Sequence, residues 1–128
     1  MPSLVGSEMC IRDRPYSMNI IDLRRYSIIP GRVNEYVEFF RNEGLPIQAS
    51  YLGCPLGYFV TETGPLNQVV HMWAYETMAD REQRRSALEK DPKWVAYRKK
   101  STNLALILAQ ENTLLKALTV PCRFATLD

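Results

Sequence analysis

The chain has 128 residues, a hydrophobic content of 46% and a formal net charge of +2, values typical of a single packed domain. Charges of both signs are interspersed, so the sequence shows neither the basic patch of a nucleic-acid-binding protein nor a polybasic membrane signal. No apolar run approaches the roughly 20 residues that a membrane-spanning helix needs. We therefore expect a soluble, cytoplasmic protein that neither binds nucleic acid nor spans a membrane.

The first residues are expected to stand outside the fold. Leu4–Arg14 reads LVGSEMCIRDR, which resembles the translation of an adapter used to prepare sequencing libraries. A signal peptide is not indicated, because two acidic residues interrupt the few apolar ones. We predict that residues 1–17 are a non-native or disordered leader, that residues 18–118 form the domain, and that residues 119–128 are a tail.

Two cysteines, Cys54 and Cys122, lie outside this leader. They are far apart in sequence and lack the CxxC or Cys/His spacing of a zinc site, so no metal site is predicted. Reduced thiols in a cytoplasmic protein are the simplest interpretation. The sequence also lacks a phosphate-binding loop, a dinucleotide-binding glycine motif and a nucleophile elbow, and no cofactor is predicted.

Apolar periodicity predicts a strand and two helices in the first part of the domain. Asn19–Ile29 alternates in polarity and is rich in Ile and Tyr, a pattern typical of a strand. Arg32–Glu43 has the i, i+3, i+4, i+7 spacing of an amphipathic helix. Gly44 is expected to end this helix with a positive φ, and Pro46 is expected to open a second, shorter helix.

A hairpin comes next. Gly57–Glu62 and Asn67–Tyr75 are predicted to be antiparallel strands joined by a tight turn. The second strand is apolar or aromatic on both sides, with Val70, Met72 and Ala74 on one and Val69, His71, Trp73 and Tyr75 on the other. Because the chain has helices for only one side, a second subunit must cover the other. We assign the side of His71 to that subunit interface.

Two consecutive helices and a last strand complete the domain. Thr77 and Asp91 are expected to cap these helices, with Pro92 at the first position of the second helix. Leu104–Leu108 is expected to continue that helix, and Ala109–Leu118 to form the fourth strand. The order β-α-β-β-α-β is that of a ferredoxin-like α+β sandwich, in which a four-stranded antiparallel sheet carries helices on one face.

Five segments of the domain carry a family resemblance. They are DLRRYSIIPG (Asp22–Gly31), GLPIQ (Gly44–Gln48), GYFVTETGPLNQVVHMWAY (Gly57–Tyr75), ADREQRR (Ala79–Arg85) and AQEN (Ala109–Asn112). Together they resemble the NIPSNAP family, from about Asn19 to about Leu118. The resemblance implies a dimeric α+β barrel, in which the sheets of two subunits pack face to face. It implies no particular reaction, because the chemistry of this family is poorly defined.

Candidate functional residues are those on the side of the sheet assigned to the barrel interior. They are polar or aromatic side chains drawn from all four predicted strands: Asp22, Arg24, Tyr26, Tyr58, Glu62, His71, Trp73, Tyr75 and Glu111. No spacing among them is a recognised catalytic signature, so the selection depends on facing alone.

The main candidates each have a functional and a structural interpretation. His71, the only histidine, either moves protons in a pocket with a near-neutral pKa or makes a structural hydrogen bond. Arg24 needs a counter-charge, which Asp22, a glutamate of a second subunit or a bound anion can supply. Trp73 and Tyr75 form either an aromatic wall for a ligand or packing at the interface.

Two hypotheses for function follow. The first is a homodimeric binding module, associated through its sheet face, for a small apolar or aromatic anionic molecule or for a partner protein. Arg24 then meets the negative end of the ligand. The second is a cofactor-free enzyme of the dimeric α+β barrel type, monooxygenase- or isomerase-like, with His71 as general base. In that enzyme Arg24 stabilises an enolate or phenolate and Tyr26 donates a proton.

Overall fold

The structure, a computed structural model, describes residues 18–118 and contains four strands. They are β1 (Ile20–Ile28), β2 (Gly57–Val60), β3 (Gln68–Tyr75) and β4 (Ile107–Lys116). All neighbours are antiparallel, and the strand order across the sheet is β2-β3-β1-β4. Residues 1–17 and 119–128, predicted to be a leader and a tail, lie outside the described residues.

Two helical regions connect the strands. The first consists of α1 (Val33–Phe39), a π-helical segment (Phe40–Gly44) and α2 (Leu45–Leu52), and the second of α3 (Met78–Lys90) and α4 (Pro92–Leu104). This order confirms the predicted ferredoxin-like α+β fold. Within residues 18–118, none of the helices has the length and apolar content needed to cross a membrane.

Both predicted caps of the second helical region are confirmed. The Thr77 hydroxyl accepts a hydrogen bond from the backbone N–H of Asp80 at 3.0 Å and begins α3. The Asp91 carboxylate accepts one from the N–H of Lys93 at 2.7 Å and begins α4. Each cap satisfies a backbone donor that the first turn of a helix leaves free. These two short motifs therefore fix where the chain breaks into separate helices.

Two other predicted boundaries are wrong. Gly44 has a negative φ of −93° and joins the π-helical segment to α2 instead of ending a helix. A Cβ at this position would lie 2.6 Å from Cζ of Tyr97, so the glycine permits a close approach of α4 and does not make a turn. Leu104–Leu108 is not a continuous helix either. The helix α4 ends at Leu104, and Ala105 turns the chain with a positive φ of 54°.

The assignment of the two sides of the sheet is also wrong. The helices cover the side that carries His71, Trp73 and Tyr75, which the sequence assigned to a second subunit. Trp73 is 1% exposed and belongs to one core cluster with Leu88 of α3 and Phe40 of the π-helical segment. The large rings on this side fill the space between the sheet and the two helical regions. Alternation in sequence could not distinguish the sides, because both are apolar.

The opposite side of the sheet, which we call the open side, carries the remaining apolar side chains: Ile21, Leu23, Phe59, Val70, Met72, Ala74 and Leu115. Phe59 and Leu115 are 52% and 42% exposed. Ile21 and Ala74 are buried at its centre but do not join the core cluster that packs against the helices. Among the described residues, the apolar surface that no helix covers is therefore on this side.

Candidate functional site

A cavity of about 330 Å³ lies between the sheet and the helices. Its sheet wall includes Arg24 and Tyr26 of β1 and His71 of β3, and its helix wall includes Gln48 of α2 and Trp94 of α4. Binding cavities for small molecules commonly measure roughly 300–1,000 Å³ and combine apolar walls with a few placed polar groups. The size and lining of this cavity suit a small ligand. It lies within one protomer, not between two.

Three arginines converge on the buried carboxylate of Asp22 beside the cavity. Nε of Arg24 is 3.2 Å from Oδ1 of Asp22, Nε of Arg81 is 2.9 Å from Oδ2, and Nη1 of Arg85 is 3.9 Å from Oδ2. Asp22 is completely buried, whereas the arginines are 14–19% exposed. Three positive charges surround one negative charge, so the cluster carries an excess of positive charge. Arg24 and Arg85 also line the cavity.

The surroundings of Arg24 stabilise its positive charge. Burial of the guanidinium opposes its charge, but the side chains of Tyr26 and Asp22 outweigh that effect and raise the pKa of Arg24 above its usual value. Arg85 has a second tie, because its Nη1 donates a hydrogen bond to the Tyr75 hydroxyl at 3.3 Å. Arg24 and Arg85 are therefore both held in place by groups of the protein, and their guanidinium groups can hydrogen-bond to an incoming anion.

His71 is enclosed by aromatic rings. The centres of the Tyr26, Phe40 and Tyr58 rings lie 4.5–4.9 Å from the centre of the imidazole, and each is tilted steeply against it. Nε2 of His71 is buried and has no hydrogen-bond partner among the described residues. Burial, followed by the positive charge of Arg24, lowers the pKa of His71 to about 3. The imidazole is thus neutral near pH 7, and its pKa is far from the near-neutral value that the catalytic interpretation of His71 requires.

Two further polar atoms of the cavity lining are buried without a partner among the described residues. They are Oε1 of Gln48 and Nε1 of Trp94, both on the helix wall. Gln48 and Trp94 are 5% and 6% exposed. A buried polar group without a hydrogen bond costs stability and calls for an explanation at each position. Together with Nε2 of His71, these atoms give the cavity three buried polar groups that could form hydrogen bonds with a polar ligand.

The π-helical segment places Phe40 in this site. Phe40 lies at its first position and contacts both His71 and Tyr58, with ring centres 4.5 and 5.0 Å apart. Such segments are rare and often occur at functional sites, because they widen the helix locally and displace its side chains. No feature of the sequence predicted this segment. Its position supports the cavity as the functional centre of the domain.

The structure brings most of the predicted site residues together. Arg24, Tyr26 and His71 line the cavity, and Asp22 lies beside it as the counter-charge of the arginines. Tyr58 packs on His71, and burial raises the pKa of its hydroxyl. The facing argument thus grouped side chains that do lie close together, although it assigned their side of the sheet to a subunit interface.

Four predicted residues do not reach the cavity. Trp73 and Tyr75 belong to the hydrophobic core, and the Tyr75 hydroxyl accepts a hydrogen bond from Arg85 of the cavity lining. Glu62 is exposed in the turn after β2. Glu111 pairs with Arg25 in the register of β1 and β4, so it lies on the open side. The strand β2 ends at Val60, before it reaches Glu62. The register of β4 places Glu111 opposite Arg25, on the other side of the sheet from His71.

Sequence reasoning missed Gln48, Arg85 and Trp94. The sequence presents the arginines early in α3 as a solvated helix face, since acidic residues adjoin them in sequence. The structure pairs Arg84 with Asp80 at 2.8 Å, whereas Arg85 turns toward the cavity. Gln48 follows an apolar residue in a buried helix, a polar exception that could have identified it.

No cysteine lines the cavity among the described residues. Cys54 is disulfide-bonded, so the prediction of a reduced thiol at this position is wrong. Cys122 lies outside the described residues. In the part of the chain that the structure describes, no group of three or more His, Cys, Asp or Glu side chains is placed to hold a metal ion.

Comparison with known proteins identifies the family. The NIPSNAP family model matches residues 21–121, and the chain belongs to the NIPSNAP family. A NIPSNAP family protein of known structure from Agrobacterium tumefaciens is 41% identical, with 85% of this chain and 98% of that chain covered and a TM-score of 0.71. The family that the sequence motifs resembled is therefore confirmed.

More distant matches set limits on what can be transferred. Human protein NipSnap homolog 3A is 37% identical over 101 residues, which are 77% of this chain but 39% of the human protein. The chain spans 35–43% of the length of the curated relatives it matches. A candidate antibiotic biosynthesis monooxygenase from Nitrosomonas europaea is 14% identical, with 77% of this chain and 98% of that chain covered and a TM-score of 0.56. At that identity the likeness shows the fold alone.

Proposed function

We propose that this NIPSNAP domain binds a small anionic molecule with an aromatic or apolar body in the cavity between sheet and helices. The excess positive charge around Asp22 carries the proposal. One carboxylate serves three arginines, and two of these, Arg24 and Arg85, line the cavity. A carboxylate or similar anion would complete this charge balance through charge-assisted hydrogen bonds. Aromatic residues of the lining supply the surface for the ligand body: Tyr26, Tyr36, Phe40, Trp94 and Tyr97.

His71 fits this function as a hydrogen-bonding group. Its neutral imidazole lies opposite Arg24 in the register of β1 and β3 and lines the same cavity. A neutral imidazole can donate a hydrogen bond from a ring N–H to an anionic oxygen without itself being charged. Arg24 and His71 would therefore meet the negative end of the ligand together, while the aromatic lining contacts the rest.

The lowered pKa of His71 supports binding over base catalysis. A general base works best when its pKa lies near the operating pH, and the pKa of His71 is lowered to about 3. Replacing His71 by Gln keeps a hydrogen-bonding group but removes the imidazole. The binding function predicts that His71→Gln retains ligand affinity, whereas the enzyme hypothesis requires that it abolish turnover.

We also propose that the domain is a homodimer whose two open sides pack together. The open side has a row of apolar residues, and two of them, Phe59 and Leu115, are 52% and 42% exposed. Exposed apolar side chains that lie together on one side of a sheet are typical of an interaction site. In a dimer of this kind each protomer would keep its own cavity, which lies on the helix side of the sheet, away from the interface. A cytoplasmic location stays a prediction.

Benzoate is a suitable first probe of the binding function, since it combines a carboxylate with an aromatic ring. We expect saturable binding by isothermal titration calorimetry and a rise in the melting temperature. Arg24→Gln should weaken binding by about tenfold to a hundredfold, because a charge-assisted hydrogen bond is lost. Arg32→Gln is the matched control, since Arg32 pairs with Glu35 at 2.8 Å and does not line the cavity. Equal affinities in the two variants would argue against the proposal.

A further inference from the structure

The helix wall of the cavity has its own recognition chemistry. Oε1 of Gln48 and Nε1 of Trp94 are buried without partners among the described residues, and neither belongs to the arginine cluster. Gln48 lies one turn before Leu52 on the buried face of α2, where an apolar side chain would avoid the cost of burying an amide. The polar residue at this position therefore points to a ligand group.

Stacking holds the indole of Trp94 in a fixed orientation. Trp94 stacks on Tyr97 with ring centres 5.0 Å apart, and Tyr97 stacks on Phe39 at 4.8 Å. Rings held in this way lose few further degrees of freedom when a ligand binds, so the N–H of Trp94 is a preorganised donor. The same rings leave the indole little freedom to turn toward another acceptor.

The two atoms have opposite roles. Oε1 of Gln48 accepts a hydrogen bond and Nε1 of Trp94 donates one. A second carboxylate on the ligand would face Oε1 of Gln48 and Glu89, which also lines the cavity, and be repelled, whereas an ammonium group would meet the three arginines of the lining, Arg24, Arg85 and Arg98. A hydroxyl both donates and accepts and carries no charge. It is the simplest group that satisfies the helix wall.

We propose that the cavity takes an aromatic carboxylate that also carries a hydroxyl group, and that Gln48 and Trp94 recognise this hydroxyl. This inference rests on the proposed function, because it assumes that the carboxylate is held at Arg24 and His71 on the sheet wall. It adds two binding residues, on α2 and α4, and a direction for the ligand, with the negative end toward the sheet and the hydroxyl toward the helices.

The test compares benzoate with the ortho, meta and para isomers of hydroxybenzoate by isothermal titration calorimetry. We expect at least one isomer to bind about tenfold more tightly than benzoate, because it satisfies polar atoms that benzoate leaves unpaired. Gln48→Met and Trp94→Phe should each remove most of this preference, measured as the ratio of the affinities for the preferred isomer and for benzoate in the same variant. Both changes keep the approximate shape of the side chain, and circular dichroism verifies that each variant is folded.

Trp73→Phe is the matched control. Nε1 of Trp73 is also buried without a partner among the described residues, but Trp73 does not line the cavity. This variant should retain the full preference for the hydroxylated isomer. If benzoate binds as tightly as all three isomers, or if the Gln48 and Trp94 variants keep the affinity ratio of the wild type, the hydroxyl inference is wrong and the anion site stands. If neither benzoate nor any isomer binds, the proposed function is wrong and the inference is rejected with it.

Discussion

Arg24 on β1 and His71 on β3 lie directly opposite each other in the sheet and line the same cavity. Burial of the imidazole, reinforced by the neighbouring guanidinium, lowers the pKa of His71 to about 3. The same pairing therefore attracts an anion through Arg24 and keeps His71 uncharged. An anion bound between them would also relieve the repulsion that a protonated His71 would meet.

The first prediction concerns the pH dependence of stability. In the unfolded chain His71 takes up a proton near its ordinary pKa of 6.5, whereas in the folded chain it does so near 3. Between these values the unfolded state binds more protons, so folding stability from this residue is present above pH 6.5 and is lost as the pH falls. The slope approaches about 1.4 kcal/mol per pH unit. Urea unfolding across this pH window measures it.

His71→Gln is the control for this prediction, because an amide does not titrate. The variant should lose this part of the pH dependence and keep the part due to carboxylates. Since His71 is the only histidine, its ring resonances in an NMR titration report directly on its protonation. A midpoint between about pH 5 and pH 8 would contradict the lowered pKa and restore the case for base catalysis.

Features that depend on neighbouring residues could be predicted from the sequence, whereas features that depend on residues distant in sequence could not. Thr77 and Asp91 act through atoms a few residues away, so local pattern was enough to locate the starts of α3 and α4. Gly44 depends on the ring of Tyr97, which is distant in sequence, and the local pattern suggested a turn instead. Element order follows from local signals, whereas the reason for a particular residue often does not.

The candidate site shows the same division. His71 and Arg24 could be chosen from strand alternation, because residues of one parity share a side of the sheet. Which side the helices cover could not be chosen, since both sides of β3 are apolar. Gln48 and Trp94 join the cavity only through the packing of α2 and α4, which no periodicity reveals.

The second prediction concerns the buried carboxylate of Asp22. Asp22→Asn removes the only negative charge that the structure shows within 4.0 Å of Arg24, Arg81 and Arg85. We expect the free energy of unfolding to fall by about 3 kcal/mol, at the low end for a broken buried ion pair because the arginines keep some contact with water. Urea denaturation measures the loss.

The same variant should respond more strongly to an anion, because benzoate would then supply the missing negative charge. Glu43→Gln is the control: its partner is Lys100 at 2.9 Å, and both side chains are exposed. A surface pair of this kind contributes less than about 1 kcal/mol. A loss in Asp22→Asn no greater than in Glu43→Gln would show that the arginine cluster does not depend on its carboxylate.

The third prediction concerns association through the open side. Met72 lies at the centre of this side, in register with Leu23 and Gly57. Met72→Glu places a charge where two open sides would meet, and burying an unpaired charge is costly. Light scattering coupled to size exclusion should give the mass of two chains for the wild type and of one chain for the variant.

Val95→Glu is the control for association, since Val95 is an exposed apolar residue on α4, away from the sheet. It should remain dimeric. Tryptophan emission cannot replace the mass measurement, because Trp73 is already buried within a single protomer. A wild-type mass equal to one chain at micromolar concentration would contradict the dimer without affecting the cavity.

The fourth prediction concerns Gly44 and Tyr97. In the interior of a helix, replacing Gly by Ala ordinarily stabilises a protein by roughly 0.5–1 kcal/mol. At this position the new Cβ would lie within 3.0 Å of three side-chain atoms of Tyr97, so α4 would have to shift. We expect Gly44→Ala to destabilise the protein by about 1–3 kcal/mol, as overpacking does. The sign of the change therefore distinguishes close packing from helix propensity.

In a double-mutant cycle with Tyr97→Leu, which removes the ring atoms nearest the new Cβ, the effect of Gly44→Ala should become neutral or stabilising. If Gly44→Ala stabilises the wild type, the approach of Tyr97 is not what requires the glycine. Because Tyr97 also stacks on Trp94, this contact holds α4, and with it the helix wall of the cavity, at its distance from the sheet.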